Sequence, residues 1–577
     1  MVCGVHLIAV NLLQHIPTLP RGGDSARELY VRSRSGIESY DTYFGAFAAS
    51  YWRSLTTVRS VVLEGSIQGN GQIELVALRN GSEHILQKIN AGDGRFTAAP
   101  VDIVAADADA LFMRLSGCSL REAQWRTPDI PTREVRIEGV ITTFNRPEYV
   151  QRNLHAFSEL TESTPEIADS FRLCVVDNAQ NLSIDTSLQV PIQVIPNPNL
   201  GGAGGFTRGL MEVRRAHWAT HVLFMDDDIT IEPESLVRTI SFLRYASDSM
   251  TCVHGAMISE DQPWLCIEAG ADYVWRSIYP PRPLHHLEDL RDRSMALAAK
   301  LDRPYAYSAW WYTAFPISLT NDNPLPVFIR GDDVAWGLMH TRGHIQTLPG
   351  IAVWHADFDI KNVPAAVYYE IRNITLASLL TVPNYRWWHF LKRFLGYAFL
   401  NLYSMRYLST EYLLRGTDDF FKGPDAWMQL DHEALHQDLY SRNEEKSTEL
   451  SADLAAVEMD SASTQATSMR DFVISLLTFG GNLIPARMRL KSPTAVPVQK
   501  RAIGASIRHD FVVHRHPRLN VGFISKRDQK RFWILLLKVG LAAIKIPFLY
   551  GLAAKRYRAA YPRMTSDAAW ERSFTKS

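Results

Sequence analysis

The sequence has few cysteines, no net charge and no long uninterrupted apolar run. Its 577 residues include five cysteines, whose odd number and irregular spacing fit neither a metal site nor a disulfide framework. They suit a reducing compartment, where cysteines act as small buried hydrophobic residues. These cysteines are Cys3, Cys118, Cys174, Cys252 and Cys266. The sequence also contains no internal repeat and no extended low-complexity tract.

Targeting and membrane-crossing signals are not expected either. The apolar start of the chain lacks a preceding basic region, and a polar segment follows where a signal peptide would have small residues. The most apolar late segment, residues 532–554, is interrupted by Lys538, Lys545 and Pro547. A spanning helix needs roughly 20 consecutive apolar residues. We therefore predict a cytoplasmic protein without a spanning helix.

Charge is distributed unevenly along the chain. Residues 481–577 carry 20 Lys and Arg against 4 Asp and Glu, a net charge of +16. The first 480 residues hold 41 basic and 57 acidic residues, a net charge of −16. This asymmetry predicts an anionic partner for the tail, either nucleic acid or membrane phospholipid.

The composition, with 46% hydrophobic and 21% charged residues, is typical of a globular protein. Three regions with different sequence patterns follow one another along the chain. Residues 1–131 predict an accessory β-sandwich, because β-branched stretches alternate with the turn sequences GNG and RNG. Residues 132–363 alternate strands with helices, which predicts an α/β domain with a parallel sheet and ligands at the carboxyl ends of its strands. Residues 364–577 are helical in pattern, with a Ser/Thr-rich loop at residues 460–468 before the basic tail.

Three aspartates directly follow the apolar stretch VLFM. Asp226, Asp227 and Asp228 would repel one another at the end of a buried strand, so a cation is expected to offset that cost. Because side chains alternate along a strand, Asp226 and Asp228 should face the same way and Asp227 the other. Such oxygen ligands suit Mg²⁺ or Mn²⁺ together with substrate phosphates. The alternative is a solvated acidic turn before the helix that EPESL begins.

The segment NLGGAGGFTRG places four glycines between a strand and a helix. It lacks the Gly-Lys-Ser/Thr ending of a P-loop, and it does not open the first strand–helix unit as a dinucleotide fingerprint would. It allows close backbone approach to a ligand, with a phosphate near the helix terminus. The alternative is a tight connection between packed elements.

Three further motifs lie downstream, each with two interpretations. Asp332 and Asp333 follow the apolar segment LPVFIRG, predicted as a strand, and either include a general base or begin a helix. His355 ends the segment LPGIAVWH and is either a metal ligand or a core histidine. Trp310 and Trp311 are either core residues or an aromatic surface for a sugar ring.

Taken in order, these motifs resemble the bacterial UDP-galactofuranosyltransferases, inverting enzymes of glycosyltransferase family 2. The matching segments are ITTFNRP, VVDN, NPNLGGAGGFTRG, LFMDDDI, WW, PVFIRGDD, LPGIAVWH and YYEIRN. They lie within roughly residues 30–380, together with YDTYFGAFAASYW in the β-rich front. Each segment alone is weak evidence for the resemblance, but the order and spacing of the segments together are specific to this family. The resemblance implies a GT-A catalytic domain between the β-sandwich and the helical C-terminal region.

The resemblance also implies roles for the candidate residues. It places at the UDP-sugar donor the residues Arg146, Asp177, Asn199, Gly201, Gly202 and Asp227. It assigns Mn²⁺ or Mg²⁺ to Asp226, Asp228 and His355. It makes Asp333, paired with Asp332, the catalytic base, and an unshifted aspartate would suffice because it is ionised at neutral pH. It gives the acceptor contacts to Trp310 and Trp311.

Two positions depart from the polymerising members of that family. Gly331 precedes the aspartate pair where those members carry tryptophan, so the GDD form is more similar to the priming members. Glu370 stands where they carry histidine. Both residues are expected to lie near the acceptor or the donor.

The expected reaction is transfer of galactofuranose from UDP-galactofuranose to a hydroxyl of a lipid-linked cell-surface glycan. The alternatives are a family 2 transferase that uses another nucleotide sugar, such as dTDP-rhamnose, and a non-catalytic glycan-binding scaffold. The basic tail resembles an interfacial anchor for the cytoplasmic face of an anionic membrane. No nucleic-acid-binding motif accompanies it, so nucleic acid is not the expected partner; a homo-oligomer is left open.

Overall fold

The structure, a computed structural model of the chain, describes residues 11–298, 300–301, 305–358, 363–442, 444–458, 469–498 and 503–575. Cys3 and the predicted loop at residues 460–468 lie outside these ranges. The other four cysteines are free thiols, and three of them are buried.

The N-terminal region consists of two antiparallel sheets. Its elements in chain order are β1 (Asn11–His15), β2 (Arg32–Arg34), β3 (Ile37–Ser39), α1 (Ala49–Leu55), β4 (Ser60–Gln68), β5 (Gly71–Arg79), β6 (Ser82–Ala91), β7 (Gly94–Thr97), β8 (Val101–Asp102), α2 (Ile103–Ala106), β9 (Ala110–Ser116) and β10 (Ser119–Thr127). One sheet has the order β1-β10-β4-β7 with β8 beside β4, and the other has the order β2-β3-β9-β5-β6. The GNG and RNG turns separate β4, β5 and β6. Residues of both sheets, such as Leu63 and Leu75, share one buried cluster, so the sheets pack face to face.

The central region is built on one large mixed sheet. Its elements are β11 (Ile137–Thr143), α3 (Pro147–Ser163), α4 (Pro165–Ala168), β12 (Phe171–Asp177), β13 (Ile192–Pro196), α5 (Gly201–Ala216), β14 (His221–Asp226), β15 (Thr230–Ile231), α6 (Glu234–Tyr245), β16 (Cys252–Ser259), β17 (Leu265–Glu268), β18 (Ala271–Tyr273), β19 (Pro281–Pro283), β20 (Glu288–Asp289), α7 (Arg293–Ala296), β21 (Thr313–Pro316), α8 (Asp332–His340) and β22 (Ile345–His355). Strands β13, β12, β11 and β14 are parallel in that spatial order. The purely parallel prediction is wrong beyond β14, because β21 is antiparallel to both β14 and β16, while β22 is parallel to β16.

The order of this sheet positions the site. Chain order reverses between β11 and β14, and ligands of such sheets bind in the crevice outside the strands' carboxyl ends at that point. The strand predicted immediately before Asp332 is not formed. Phe328, Arg330 and Gly331 have φ values of 73°, 61° and 92°, which are incompatible with extended pairing, so Asp332 follows an irregular segment instead.

The C-terminal region is helical, as predicted, but it also contains a small sheet that was not predicted. Its elements are α9 (Ala365–Thr381), α10 (Trp387–Leu402), α11 (Tyr407–Lys422), α12 (Pro424–Gln429), α13 (His432–Ser441), β23 (Thr448–Glu449), α14 (Ala452–Ala455), α15 (Met469–Thr478), β24 (Thr494–Pro497), α16 (Ile503–Arg508), β25 (Phe511–Arg515), β26 (Val521–Lys526), α17 (Gln529–Met564) and α18 (Asp567–Phe574). The sheet has the order β23-β26-β25-β24. The helical pattern predicted for residues 364–577 is interrupted after Ser441, where α13 ends.

Helix α17 corrects the prediction made for residues 532–554. It continues through Pro547 and is, within the described residues, a helix long and apolar enough by length and composition to cross a membrane. Ile546 and Tyr550 on either side of Pro547 are buried, and the Tyr550 hydroxyl donates to the Tyr385 carbonyl at 3.0 Å. This packing stabilises a helix that proline alone would weaken.

One hydrophobic cluster joins the sandwich to the central sheet. Trp52 of α1 packs edge-on against Phe242 of α6 with ring centroids 5.4 Å apart, and both belong to that cluster. The buried Arg238 side chain donates to the Phe44 carbonyl at 2.6 Å. The two regions therefore share a core rather than meeting at a polar surface.

Candidate active site

Three metal-ligand side chains converge at the carboxyl ends of β14 and β22. Asp226 ends β14, Asp228 follows two residues later, and His355 ends β22. Their ligand atoms all lie within 4.8 Å of one another. Burial, followed by the charge of Asp228, raises the pKa of Asp226 to about 7. The two carboxylates repel each other when both are ionised, and a cation between them would remove that repulsion. Together with the imidazole they form a set of ligand atoms that fits Mn²⁺ or Mg²⁺.

The orientation of the His355 ring suits metal binding through Nε2. Nδ1 lies 2.6 Å from the Ala356 carbonyl oxygen, which can only accept, so Nδ1 carries a hydrogen. Nε2 faces Asp228 Oδ1 at 3.2 Å. Burial lowers the pKa of His355, but the hydrogen bond to Asp228 reverses this and leaves the pKa raised. A histidine whose Nδ1–H is held by a backbone carbonyl is typical of metal ligands.

Asp227 is not part of the triad and pairs with Arg146. Arg146 precedes α3, and its Nη1 lies 2.8 Å from Asp227 Oδ1 and 2.8 Å from Asp228 Oδ2. Burial raises the pKa of Asp227, and the charge of Arg146 opposes that rise. Arg146 thus partly neutralises the acidic strand end and lies at its rim, with 39% of its side chain exposed.

Asp332 and Asp333 begin α8 and differ in ionisation. Burial raises the pKa of Asp333 to about 6, although its Oδ1 accepts the Val334 N–H at 2.8 Å. Burial, followed by the charge of Asp333, raises the pKa of Asp332 well above its ordinary value. Asp332 therefore keeps a proton more readily than Asp333 does, so Asp333 is the member of the pair that ionises first. An unshifted aspartate would suffice as a base, but burial raises the pKa of both carboxyls here.

The glycine-rich turn brings the N-terminus of α5 against the aspartate pair. Gly201 has a φ of +70°, and a Cβ there would lie 2.2 Å from the Phe328 carbonyl oxygen. A Cβ on Gly202 would lie 3.7 Å from Asp332 Oδ2. The Asn199 side chain accepts the Gly201 N–H at 3.2 Å. Glycine is required at the first position by both backbone conformation and space.

Asp177 ends β12, and its carboxylate is engaged by the loop that follows. It accepts the backbone N–H groups of Ala179, Gln180 and Leu182 at distances of 3.0, 2.9 and 2.6 Å. The same loop carries Asn178, whose side chain donates to the Gly201 carbonyl at 3.2 Å. Asp177 thus shapes the crevice by fixing this loop, and its direct contact with a donor stays a prediction.

The two tryptophans are core residues in this structure. Trp310 is 5% exposed and packs between Phe206, Phe224 and Trp336. Trp311 is 2% exposed and donates from Nε1 to the Gly255 carbonyl at 2.8 Å. An acceptor surface needs an open ring face, and neither ring presents one here. The sequence offered both interpretations, and the burial favours the core.

Glu268 and Tyr307 lie beside Asp333 and were not predicted. Glu268 ends β17; burial and then the charge of Asp333 raise its pKa to about 8. Burial followed by Glu268 and Asp333 raises the pKa of Tyr307 well above its ordinary value. The signal for Glu268 was available, because it too follows an apolar strand in the segment WLCIEAG. Asp333 therefore faces polar groups on the side of the sheet opposite to β11–β13.

Family models match two parts of the chain. The model described as Glycosyl transferase family 2 matches residues 140–271, which run from within β11 to the first residue of β18 and include the aspartate triplet. The chain is a glycosyltransferase, and this part of it is similar to family 2. The model described as Galactofuranosyltransferase 2 N-terminal matches residues 20–106 of the sandwich, which confirms the predicted resemblance to galactofuranosyltransferases.

Relatives of this glycosyltransferase cover most of its length. The Galactofuranosyltransferase GlfT2 of Mycobacterium tuberculosis (strain ATCC 25618 / H37Rv) is 26% identical and aligns over 74% of this chain and 75% of its own. The Galactofuranosyltransferase GlfT2 of Mycolicibacterium smegmatis (strain ATCC 700084 / mc(2)155) is 24% identical over 98% of this chain and 96% of its own. A crystal structure of S. aureus TarS 1-349 is similar with a TM-score of 0.30 and 14% identity, covering 49% of this chain and 80% of that chain.

Proposed function

We propose that this glycosyltransferase moves galactofuranose from UDP-galactofuranose to a hydroxyl of a lipid-linked cell-surface glycan, with inversion and with a divalent metal ion. The observation that carries the proposal is the meeting of two acidic groups at one crevice. Asp226, Asp228 and His355 form a metal-ligand set, and Asp333 forms a separate ionised carboxylate. The names of the two relatives support the choice of sugar.

The donor is assigned to the metal-ligand set and the glycine-rich turn. Mn²⁺ or Mg²⁺ held by Asp226, Asp228 and His355 supplies charge neutralisation for a departing diphosphate. The exposed part of Arg146 adds positive charge beside it. The N-terminus of α5 lies next to it, although the N–H groups of Gly201 and Ala203 already donate to Asn199 and Phe328. Asp227 orients Arg146 through the 2.8 Å ion pair. Asn199, Gly201 and Gly202 form the edge of the crevice next to the metal-ligand set.

Asp333 is assigned as the general base. A base must be ionised and within reach of the attacking hydroxyl, and Asp333 is the half-buried carboxylate of its pair, whereas Asp332 is buried and protonated. Removal of the hydroxyl proton by Asp333 accompanies attack on the anomeric carbon from the face opposite the diphosphate, and a single displacement inverts the configuration. Glu268, which is partly exposed beside Asp333, is assigned to contacts with the acceptor's other hydroxyls.

A donor panel tests the proposed function. Purified protein is incubated with a lipid-linked acceptor and UDP-galactofuranose, UDP-galactopyranose or dTDP-rhamnose, with Mn²⁺ or with a chelator. Transfer from UDP-galactofuranose that stops on chelation is expected. Transfer only from dTDP-rhamnose would replace the donor assignment, and turnover unaffected by chelator would remove the metal. Product NMR reports the anomeric configuration.

The C-terminal helices carry an apolar face that we assign to the cytoplasmic surface of an anionic membrane. On α17, exposed apolar side chains recur at steps of three and four residues, at Ile534, Leu537, Leu541, Ile544, Phe548 and Leu552. The opposite side of the helix packs in the protein core. Phe472 and Leu477 of α15 are also exposed apolar side chains, and the Phe472 ring contacts Phe399 of α10 with centroids 5.2 Å apart.

Charge and one-sided burial favour a bilayer surface as the occupant of this face. Lys538 and Lys545 are exposed, lie seven residues apart on the same side of α17, and flank the apolar stripe. Residues 481–577 are strongly basic, as their net charge of +16 shows. A helix that packs one side in the core and exposes apolar and basic groups on the other is suited to lying in the interface rather than crossing the bilayer.

Vesicle co-sedimentation tests the membrane assignment. Phe548 is 81% exposed, so Phe548→Ser should weaken binding to phosphatidylglycerol-containing vesicles by roughly tenfold or more without unfolding the protein. The matched control is Ile130→Ser, also highly exposed at 84% but outside the face, and it should bind like the wild type. Vesicle binding by Phe548→Ser equal to that of the wild type would overturn the assignment. So would a protein that does not bind vesicles and forms a dimer that Phe548→Ser converts to a monomer.

A further inference from the structure

A cavity of about 770 Å³ lies over the carboxyl ends of β11, β12 and β13. Phe144 and Asn145 after β11, Asn178 after β12 and Asn199 before α5 form its inner wall. Asn145 is followed by Arg146, whose guanidinium pairs with Asp228 of the metal-ligand set. The cavity therefore adjoins that set on the side of the sheet away from Glu268, which lies beside Asp333.

The outer wall of this cavity comes from the C-terminal region. The connection between α12 and α13, residues 428–433, forms one part, and Trp570 and Arg572 of α18 form another. The Asn199 side chain donates to Glu433 Oε1 at 3.1 Å, across 234 residues of sequence. A residue of the glycine-rich edge is thus held in place by a C-terminal carboxylate.

Helix α18 is fixed to the catalytic domain by several specific contacts. Arg214 of α5 pairs with Asp567 at 2.7 Å, and Trp570 Nε1 donates to the Pro324 carbonyl at 3.0 Å. The Arg208 guanidinium lies 5.2 Å from the centre of the Phe574 ring. These contacts span both ends of α18, so the wall is a packed part of the site rather than a loosely attached segment.

Two polar groups of this wall lack partners among the described residues. His432 Nδ1 is buried without a hydrogen bond, and its ring lies nearly parallel to Phe328, with centroids 6.2 Å apart. Burial lowers the pKa of His432 to about 3, so the imidazole is neutral and keeps a nitrogen lone pair. The exposed Arg572 forms no ion pair within the described residues. A buried polar atom without a partner indicates a ligand or a water that completes it.

We infer that Glu433, His432 and Arg572 of the C-terminal region contribute to recognition of the nucleoside of the sugar-nucleotide donor where it occupies this cavity. The inference rests on the proposed function, which assigns the diphosphate to the metal-ligand set and the sugar to the side of Asp333. Aromatic rings, side-chain amides and a charged rim match the planar base and the hydroxyl groups of a nucleoside. Glu433 is a positioning residue, because it acts through Asn199.

The test compares binding of UDP with binding of pyrophosphate, both with Mn²⁺, by titration calorimetry on the full chain. Glu433→Ala and Arg572→Ala should each weaken UDP binding by roughly fivefold or more, the range expected for one lost hydrogen bond or charged contact. Pyrophosphate lacks a nucleoside, so its binding should be unchanged, which also shows that each variant is folded. Glu433→Gln keeps an acceptor oxygen and should restore UDP binding. Asp438→Ala, on α13 and outside the cavity lining, is the matched control.

The outcomes separate this inference from the proposed function. Glu433→Ala should raise the KM for the sugar nucleotide more than it lowers kcat, because the reacting atoms lie at the other end of the donor. Equal UDP binding by the wild type and both alanine variants would overturn the inference while leaving the reaction intact. Weaker pyrophosphate binding by the same variants would also overturn it, because the substitutions would then affect the metal site rather than the nucleoside. Normal UDP selectivity without sugar transfer would instead contradict the proposed reaction.

Discussion

At the scale of single residues, the ionisation of Asp333 should set the acid limit of activity. Its pKa is raised to about 6 by burial, and only its carboxylate form accepts the hydroxyl proton. Log(kcat/KM) should therefore rise with a slope near one as pH increases towards about 6 and then level off, measured at saturating metal. A profile that is flat down to about pH 5 would show that another group is the base.

The two neighbouring aspartates should respond differently to the same substitution. Asp333→Asn removes the base and should lower kcat by roughly 10² to 10⁴. We assign the proton of the pair to Asp332, because it is the more buried of the two, so Asp332→Asn replaces a neutral group with one of equal size and should cost no more than about tenfold. Steady-state kinetics of both variants, with UDP binding as the folding control, decide the matter. Equal losses would contradict the assignment of the proton to Asp332.

The candidate residues that could be predicted from sequence are those that follow the rule that ligands bind at the carboxyl ends of strands. That rule indicates Asp226, Asp228 and His355, and it would have indicated Glu268 as well. It cannot find Glu433, because its contact with Asn199 depends on packing between helices separated by 234 residues. It also does not distinguish a buried tryptophan from an exposed one, so Trp310 was assigned to the acceptor although it is packed in the core.

At the scale of elements, the start of α5 depends more on Gly201 than on Gly202. Gly201→Ala would bring a Cβ to 2.2 Å from the Phe328 carbonyl oxygen at a φ of +70°, and should cost about 1–3 kcal/mol in the free energy of unfolding. Gly202→Ala has ordinary contact distances, with Asp332 Oδ2 at 3.7 Å, and should cost less than about 1 kcal/mol. Chemical denaturation of the pair tests this. A larger loss in Gly202→Ala would contradict it.

Elements with local signals could be predicted, and those that depend on tertiary packing could not. Strands β4, β5 and β6 are bounded by the GNG and RNG turns, and α3 begins at Pro147, a proline in the first turn. The continuity of α17 through Pro547 depends instead on buried neighbours from α9 to α11, which sequence spacing does not reveal. The small sheet β23 to β26 is made of short strands distant in sequence, so no periodic pattern indicates it.

At the scale of the whole molecule, the sandwich and the catalytic sheet should unfold together. Their shared cluster contains buried residues of both regions, and Arg238 donates to a sandwich carbonyl across that boundary. We expect one cooperative transition for both regions in calorimetry, with site-specific fluorescence probes in β5 and in α6 reporting the same midpoint. Separate midpoints would show that the sandwich is an independent domain. A version beginning at residue 132 should be insoluble, because it would expose the sandwich-facing side of α6.

The cavity wall supplied by α13 and α18 bears on how this enzyme can be recombined. Residues 132–363 look like a module that could be exchanged between enzymes, since they hold the strands of the central sheet, the proposed metal ligands and the proposed base. A chimera cut at residue 363 would nevertheless leave behind Glu433 and the helix fixed by Arg214. Donor preference would then follow the C-terminal region as well as the catalytic domain. A successful exchange of sugar-nucleotide specificity must therefore transplant the two together.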